Sequence, residues 1–265
     1  MNDLFSALLL GIIEGLTEFL PISSTGHLLI AQHWLGARSD LFNIAIQAGA
    51  ILAVCLVYRE RLWALATGWR DPVQRDYVFK LAGAFLVTAV FGLVVKLGGI
   101  ELPDTVTPIA WALIVGGVAI LLIERRVGAD DPGHVAIAWK VAVVVGLAQV
   151  LAGVFPGTSR SAAAIFAALL VGVGTRAAAT EFAFLVGIPT MFAATGYELL
   201  SLARHGGIGN EDWSALGVAF VASAITAFVA VKWLLHYIQS HRFTAFAVYR
   251  VGLGVALLLW LPAAA

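Results

Sequence analysis

Two long apolar stretches of this chain are each interrupted near their middle by a knot of polar residues. The first is Glu14-Gly-Leu-Thr-Glu18-Phe-Leu-Pro21-Ile-Ser23-Ser24-Thr25-Gly26-His27, and the second is Pro156-Gly157-Thr158-Ser159-Arg160-Ser161. The surrounding chain is 61% hydrophobic and only 12% charged, with a mean hydropathy of +0.94, a balance outside the range of soluble domains. The setting is therefore a polytopic membrane protein. At bilayer depth a carboxylate, imidazole or guanidinium costs at least about 3 kcal/mol, so such groups are retained for function and face a cavity rather than lipid. The two knots are the candidate working site.

Apolar runs of the length needed to cross a hydrocarbon core of about 30 Å fall at about 41–58, 81–98, 107–124, 179–203, 213–235 and 245–263. That predicts six transmembrane helices in an all-α protein, since no alternating strand pattern is present. Regions 4–34 and 137–173 are each long enough for two half-helices and are broken by Pro21 and by Pro156-Gly157. Proline removes a backbone donor and disfavours helix at the residue before it, so each region reads as a re-entrant helical hairpin. A single kinked crossing helix is the plainer alternative.

The basic residues orient this topology. With both termini outside, inner loops hold Arg59, Arg61, Arg70, Arg75, Lys80, Arg125, Arg126, Lys140, Arg176, Lys232, Arg242 and Arg250, whereas Arg38, Lys96 and Arg204 fall outside. This satisfies the positive-inside rule. The hairpins then enter from opposite faces and their tips meet near the midplane. Sliding the sequence by 135 positions lays Gly11 on Gly146, Glu14 on Gln149, Pro21 on Pro156, Ser23 on Thr158 and Ser24 on Ser159, and an offset of 140 sets Phe42 on Phe182. Broken helices in corresponding places predict an inverted-topology repeat, with halves of about 1–125 and 126–265 in one integral membrane domain and the ligand at their interface.

Other features are quieter. The opening segment has Asp3, no basic leader, and Glu14 and Glu18 within its apolar run, which reads as a retained helix rather than a secretory signal. Cys55 is the sole cysteine and reads as a packing residue, since an internal disulfide needs two. The formal net charge is zero with no basic run, which gives nucleic acid no footprint. The eight tryptophans fall near span ends and read as an interfacial belt. His33, His134, His205, His236 and His241 carry no assigned role, and Glu181 reads as a helix cap or a partner of Arg176.

Glu14 and Glu18 are four apart, so on a helix they share one face. Two such carboxylates repel in a low-dielectric site and need a cation between them, a shared proton or a basic neighbour. A divalent metal held by Glu14 and Glu18, with Mg or Ca as the natural oxygen-seeking choices, meets the first option. Ser23-Ser24-Thr25-Gly26 is rich in capping residues, so a returning half-helix should begin there with its free amides and positive dipole end available to an anion. Gly157, Thr158, Ser159 and Ser161 repeat the arrangement from the other side. Arg160 adds a guanidinium that can grip phosphate through paired hydrogen bonds and stabilise developing charge. His27, three residues from Ser24, can accept the proton of a Ser24 nucleophile or activate water directly. Asn43 and Gln47 are expected to hydrogen-bond the first hairpin, with Gln149 likewise behind the site.

At these residues the chain resembles the bacterial undecaprenyl-pyrophosphate phosphatase family of the BacA type, associated with bacitracin resistance. Ile46-Gln47-Ala-Gly-Ala-Ile-Leu-Ala-Val, Glu181-Phe-Ala-Phe-Leu-Val-Gly-Ile-Pro189 and Tyr249-Arg250 support the two motifs, and the likeness spans essentially the whole chain. It implies an enzyme of the bacterial inner membrane that removes the terminal phosphate of a polyprenyl pyrophosphate, recycling the lipid carrier for cell-wall synthesis. It also implies interdigitated inverted repeats, a divalent cation and a site opening to the periplasm. Glu14 and Glu18 match its acidic motif, Ser23, Ser24 and His27 its serine–histidine segment, and Ser159, Arg160 and Ser161 its phosphate-binding segment. Partners would be the lipid substrate, membrane lipids and, as an open possibility, a second copy. One departure is Ala162-Ala163-Ala164 where members commonly carry Gly-Ala-Thr, which leaves reduced affinity, shifted preference or compensation open. A secondary transporter or lipid-phosphate translocator is the rival reading, because broken helices at the midplane and proton-carrying carboxylates also suit transport.

Overall fold

Both proline-broken regions do turn back on themselves. The computed structural model describes residues 3–99, 105–204 and 211–260, and in it the first region forms α1 (Asp3–Thr17) and α2 (Ser24–Leu35). The chain continues through α3 (Asp40–Val57), α4 (Arg59–Thr67), α5 (Pro72–Leu97) and α6 (Val106–Val127). A short 3-10 turn at Pro132–His134 leads to the second broken pair, α7 (Trp139–Val154) and α8 (Arg160–Leu170), followed by α9 (Arg176–Arg204), α10 (Trp213–Tyr237) and α11 (Thr244–Trp260). No strand occurs among the described residues.

The helices α3, α5, α6, α9 and α10 are each long and apolar enough to cross a membrane. The sixth expected crossing is α11, which has 17 described residues, and positions 261–263 of that expected span lie outside the described residues, as does His205. Two elements exceed the sequence reading. Helix α5 starts nine residues before the expected span, at Pro72, where Asp71 caps it by accepting from the Val73 amide at 2.9 Å; capping and a proline in the first turn extend a helix past the apolar run. Helix α4 was not expected, because its Arg59-Glu60-Arg61 start carries no membrane-length apolar pattern. All eight tryptophans are exposed, as a lipid-interface belt requires.

The halves are interleaved. The first hairpin's α1 packs on α10, while the second hairpin's α7 packs on α5, so each hairpin is supported by a long helix of the other half. The nearest contact is of the same kind in both. A Cβ placed on Gly11 would lie 2.2 Å from the Ala219 carbonyl oxygen, and one on Gly146 would lie 2.7 Å from that of Ala84. Ala84 and Ala219 are separated by the same 135 positions that relate Gly11 to Gly146. Between α6 and α11 the relation is reciprocal, with Gly117 against Ala247 and Gly254 against Ala110. Without a hydrophobic drive between helices in lipid, such small-residue approaches supply the packing.

Three charges assigned to loops or caps belong elsewhere. Arg176 is buried and bound by Glu124, Asp130 and the Gly128 carbonyl. Glu181 pairs with Arg61 at 2.9 Å, not with Arg176. Arg250 is fully buried in α11 and is no inner-loop charge, because backbone carbonyls of α6 and of the two helix breaks satisfy it there.

Candidate functional site

The two returning helices begin with the same backbone device. Ser23 and Ser159, at φ 74° and 69°, are the positive-φ non-glycine residues among those described, and each caps its helix. Ser23 Oγ accepts from the Gly26 amide at 3.5 Å and Ser159 Oγ from the Ala162 amide at 3.3 Å. A left-handed serine costs about 1–3 kcal/mol, and such strain collects at functional sites. The matching caps also correct the register beyond the prolines. Ser23 corresponds in structure to Ser159 rather than to Thr158, because the second tip carries one extra residue between proline and cap. Ser24 therefore corresponds to Arg160, the first helical residue of each return.

Those two residues converge on one carboxylate. Ser24 Oγ donates to Glu18 Oε2 and Arg160 Nη2 donates to Glu18 Oε1, so Glu18 is held from both hairpins at once. Glu14 lies one turn earlier beside Glu18 and is buried, with its Oε2 lacking any hydrogen-bond partner. Two further contacts fix the tips to each other. Ser161 Oγ donates to the Leu20 carbonyl at 3.0 Å. Arg250 donates to the Pro21 carbonyl at 3.2 Å, the Gly157 carbonyl at 3.0 Å and the Ala112 carbonyl at 3.2 Å. Each proline break leaves carbonyls without helical partners, and one guanidinium with five donors satisfies both.

His27 is placed differently from the sequence expectation. Its Nδ1 meets the Ser23 carbonyl at 2.7 Å and its Nε2 meets the Tyr249 hydroxyl at 2.7 Å. A carbonyl only accepts, so Nδ1 carries a proton and donates it to Ser23, while Nε2 shares its hydrogen bond with Tyr249. The Ser24 hydroxyl is turned to Glu18, so the base within its reach is the carboxylate. The imidazole braces the strained Ser23 cap from outside.

Two adjoining cavities meet at this cluster. One, of about 690 Å³, is lined by Glu14, Ser24, Thr25, Asn43, Gln47 and Lys96 among others. The second, of about 710 Å³, is lined by Glu18, Ser23, Ser24, Gln149, Gly157, Ser159 and Arg160, with an apolar wall that includes Val95, Val150 and Val154. Gln47 and Thr25 line both. Asn43 accepts from Gln32 of α2 at 2.9 Å, which ties it to the first hairpin as expected. Gly26, Thr158 and Ser161 line neither cavity; Gly26 and Ser161 serve the caps, and the Thr158 amide closes the second turn onto the Phe155 carbonyl. Ala164 is buried in the apolar core and lines neither cavity, so the hydroxyl absent there subtracts nothing from them. Sequence reasoning met Tyr249 and Arg250 only through the family resemblance and gave them no role in the site, and it missed Lys96 and Glu198 as lining; a lone tyrosine or arginine in a late apolar span gives no spacing signal toward partners 93 to 229 positions away.

A metal would find few ligands here. No group of three or more His, Cys, Asp or Glu side chains suited to a metal occurs among the described residues. The unpartnered Glu14 oxygen beside Glu18 does fit the hard-cation pattern in which one or two carboxylates hold Mg and substrate phosphates complete the shell.

A family model described as "Bacitracin resistance protein BacA" matches residues 7–256. The chain is 70% identical over 262 residues to a protein of Stenotrophomonas maltophilia (strain K279a) named "Undecaprenyl-diphosphatase", covering 99% of each. It is 64% identical over 264 residues to one of that name from Xanthomonas campestris pv. campestris (strain 8004), and 65% over 265 residues to one from Xanthomonas euvesicatoria pv. vesicatoria (strain 85-10), covering 100% of each chain in both pairs.

Proposed function

The chain belongs to the bacitracin resistance protein BacA family and acts as an undecaprenyl-diphosphatase, and we propose that it does so by transferring the terminal phosphoryl group of the lipid diphosphate to Ser24. The observation that carries this reading is the meeting of Ser24 and Arg160 on Glu18. In the resting arrangement Arg160 neutralises Glu18. An incoming diphosphate competes for the guanidinium, and Arg160 moving onto phosphate leaves Glu18 free to act as a base.

Ser24 Oγ then forms a bond to the terminal phosphorus while the bridging P–O bond breaks. The serine proton passes to Glu18, and the polyprenyl phosphate leaves as an anion that needs no proton. Water next attacks the phosphoserine, the P–Oγ bond breaks as Glu18 returns to Ser24 Oγ the proton it took, and the protons of the attacking water leave with the inorganic phosphate. Phosphoryl transfer asks the protein chiefly for positioning and charge stabilisation, which is what Arg160 and the capped amides at Ser23 and Ser159 supply. A divalent cation held by Glu14 and Glu18 would offset diphosphate charge. His27 and Tyr249 hold the Ser23 cap and so the orientation of Ser24.

The isoprenoid tail suits the apolar wall of the second cavity, between α5 and α7. We place the protein in the bacterial inner membrane with the site open to the periplasm. The first cavity is lined by Gln32, Asp40, Lys96 and Glu198, near the ends of α2, α3, α5 and α9 that the basic-residue distribution puts outside. The deciding experiment uses purified protein in detergent, where no gradient exists to support transport. Phosphate release from a polyprenyl diphosphate should require added Mg or Ca and stop with chelator, and acid quench should trap a phosphoserine at Ser24. Release that persists in the Ser24→Ala variant, or full release under chelator, overturns the corresponding part; transport without release would favour the translocator.

A further inference from the structure

The equivalence of Glu14 and Gln149 extends beyond the alignment. Each stands one turn after the glycine that packs its hairpin on the opposite half, Gly11 in the first and Gly146 in the second. Each is buried, Glu14 at 2% and Gln149 at 4% exposure. Each also carries buried polar atoms without a hydrogen bond, Oε2 in Glu14 and both Oε1 and Nε2 in Gln149, and Glu14 is among the residues lining one cavity and Gln149 among those lining the other. A buried amide with neither end satisfied is costly, and natural structures keep one where something outside the fold completes it.

We infer that Gln149 is a direct binding residue for the diphosphate, with its side-chain amide donating to phosphate oxygens in the same cavity that holds Arg160. This rests on the reading of the site as a lipid diphosphatase and names a specificity determinant within it. The chemistry explains why the second repeat carries an amide where the first carries a carboxylate. A carboxylate at 149 would confront the substrate's phosphates in a poorly solvated pocket, whereas a neutral amide donates to them without a counter-charge of its own. In the first repeat the equivalent position is the carboxyl group of Glu14, on the side of the site read above as holding the cation. Lys96 and Glu198 line the same cavity, and the Lys96 ammonium lies 3.8 Å from the centroid of the Tyr197 ring, so the lysine has a partner of its own whereas the Gln149 amide has none.

The experiment is isothermal titration of inorganic pyrophosphate and of inorganic phosphate, with Mg present, into the purified parent and into Gln149→Met, together with thermal-unfolding midpoints. Methionine keeps the volume and removes the unsatisfied amide. Expected is an unfolding midpoint equal to or above that of the parent, pyrophosphate bound about tenfold more weakly, and inorganic phosphate within about twofold, since a buried hydrogen bond to an anion supports an effect of that order. Unchanged affinity for both anions means that water alone completes the amide and overturns the inference. Equal weakening of both anions, or a large drop in midpoint, overturns it in favour of a packing role. Should the methionine variant not fold, Gln149→Glu keeps the shape and should raise KM for the lipid diphosphate on the order of a hundredfold through like-charge repulsion; an unaltered KM is decisive against it. A parent that binds pyrophosphate through Gln149 yet releases no phosphate from the lipid refutes the diphosphatase reading and not this one.

Discussion

The two hairpin tips share a backbone and divide the chemistry. Both turn at a proline, restart helix from a left-handed serine cap, and rest on a long helix of the other half through a glycine with no room for a Cβ. Their side chains then diverge. The first tip supplies Glu14, Glu18 and Ser24, and the second supplies Gln149 and Arg160, with Gly153 where Glu18 would be expected from the 135-residue offset. The matching backbone therefore carries an unmatched set of side chains. On the mechanism proposed above, one half provides the nucleophile and its base, and the other provides the anion grip.

The hardest test of that division is loss of either side. Glu18→Ala, Ser24→Ala and Arg160→Ala should each lower phosphate release from lipid diphosphate by about a thousandfold or more, since a nucleophile, a base or a charge stabiliser each contributes on that order. Full activity in all three would dissolve the site assignment.

Arg250 should matter to both tips equally. Replacing it with methionine leaves the Pro21 and Gly157 carbonyls without their donor and should destabilise the protein by about 3 kcal/mol or more. A fall in the thermal-unfolding midpoint in detergent would register this. An unchanged midpoint would mean that the tips are held independently.

Gly11→Ala and Gly146→Ala probe the shared scaffold. Each should cost about 1–3 kcal/mol by forcing helices apart, with the larger loss at Gly11, where the new carbon would meet backbone oxygen at 2.2 Å rather than 2.7 Å. The order of the two midpoints checks it, and a reversed order would show that the halves relax differently. Smallest is Ser161→Ala, which removes the bond to the Leu20 carbonyl. It should cost about 1 kcal/mol and change KM less than threefold, in contrast to Ser24.

Much of the fold was legible before any tertiary contact was known. Pro21 and Pro156 marked the breaks, apolar run length marked the spans of α3, α6, α9 and α10, and the offset of 135 recurred in the packing of Gly11 on Ala219 and Gly146 on Ala84. The error in register beyond the prolines arose because alignment of Ser-rich strings cannot see which serine adopts positive φ. The site was legible as a set of residue types, and Glu14 with Glu18 as a pair, because spacing along one helix is local information. The partners were not. Ser24 turns to Glu18 and not to His27, His27 turns to Tyr249, and Arg250 leaves its expected loop to bind both tips.

By itself the sequence determined an all-helical chain with several membrane-length apolar helices and two regions broken at proline, because hydrophobic length and proline act locally. Only the tertiary structure decided which polar group meets which. In a low-dielectric interior each ionisable or unpaired group must find a partner, and here the partners of the first hairpin lie on helices from the far end of the chain, brought near by the exchange of hairpins between the halves.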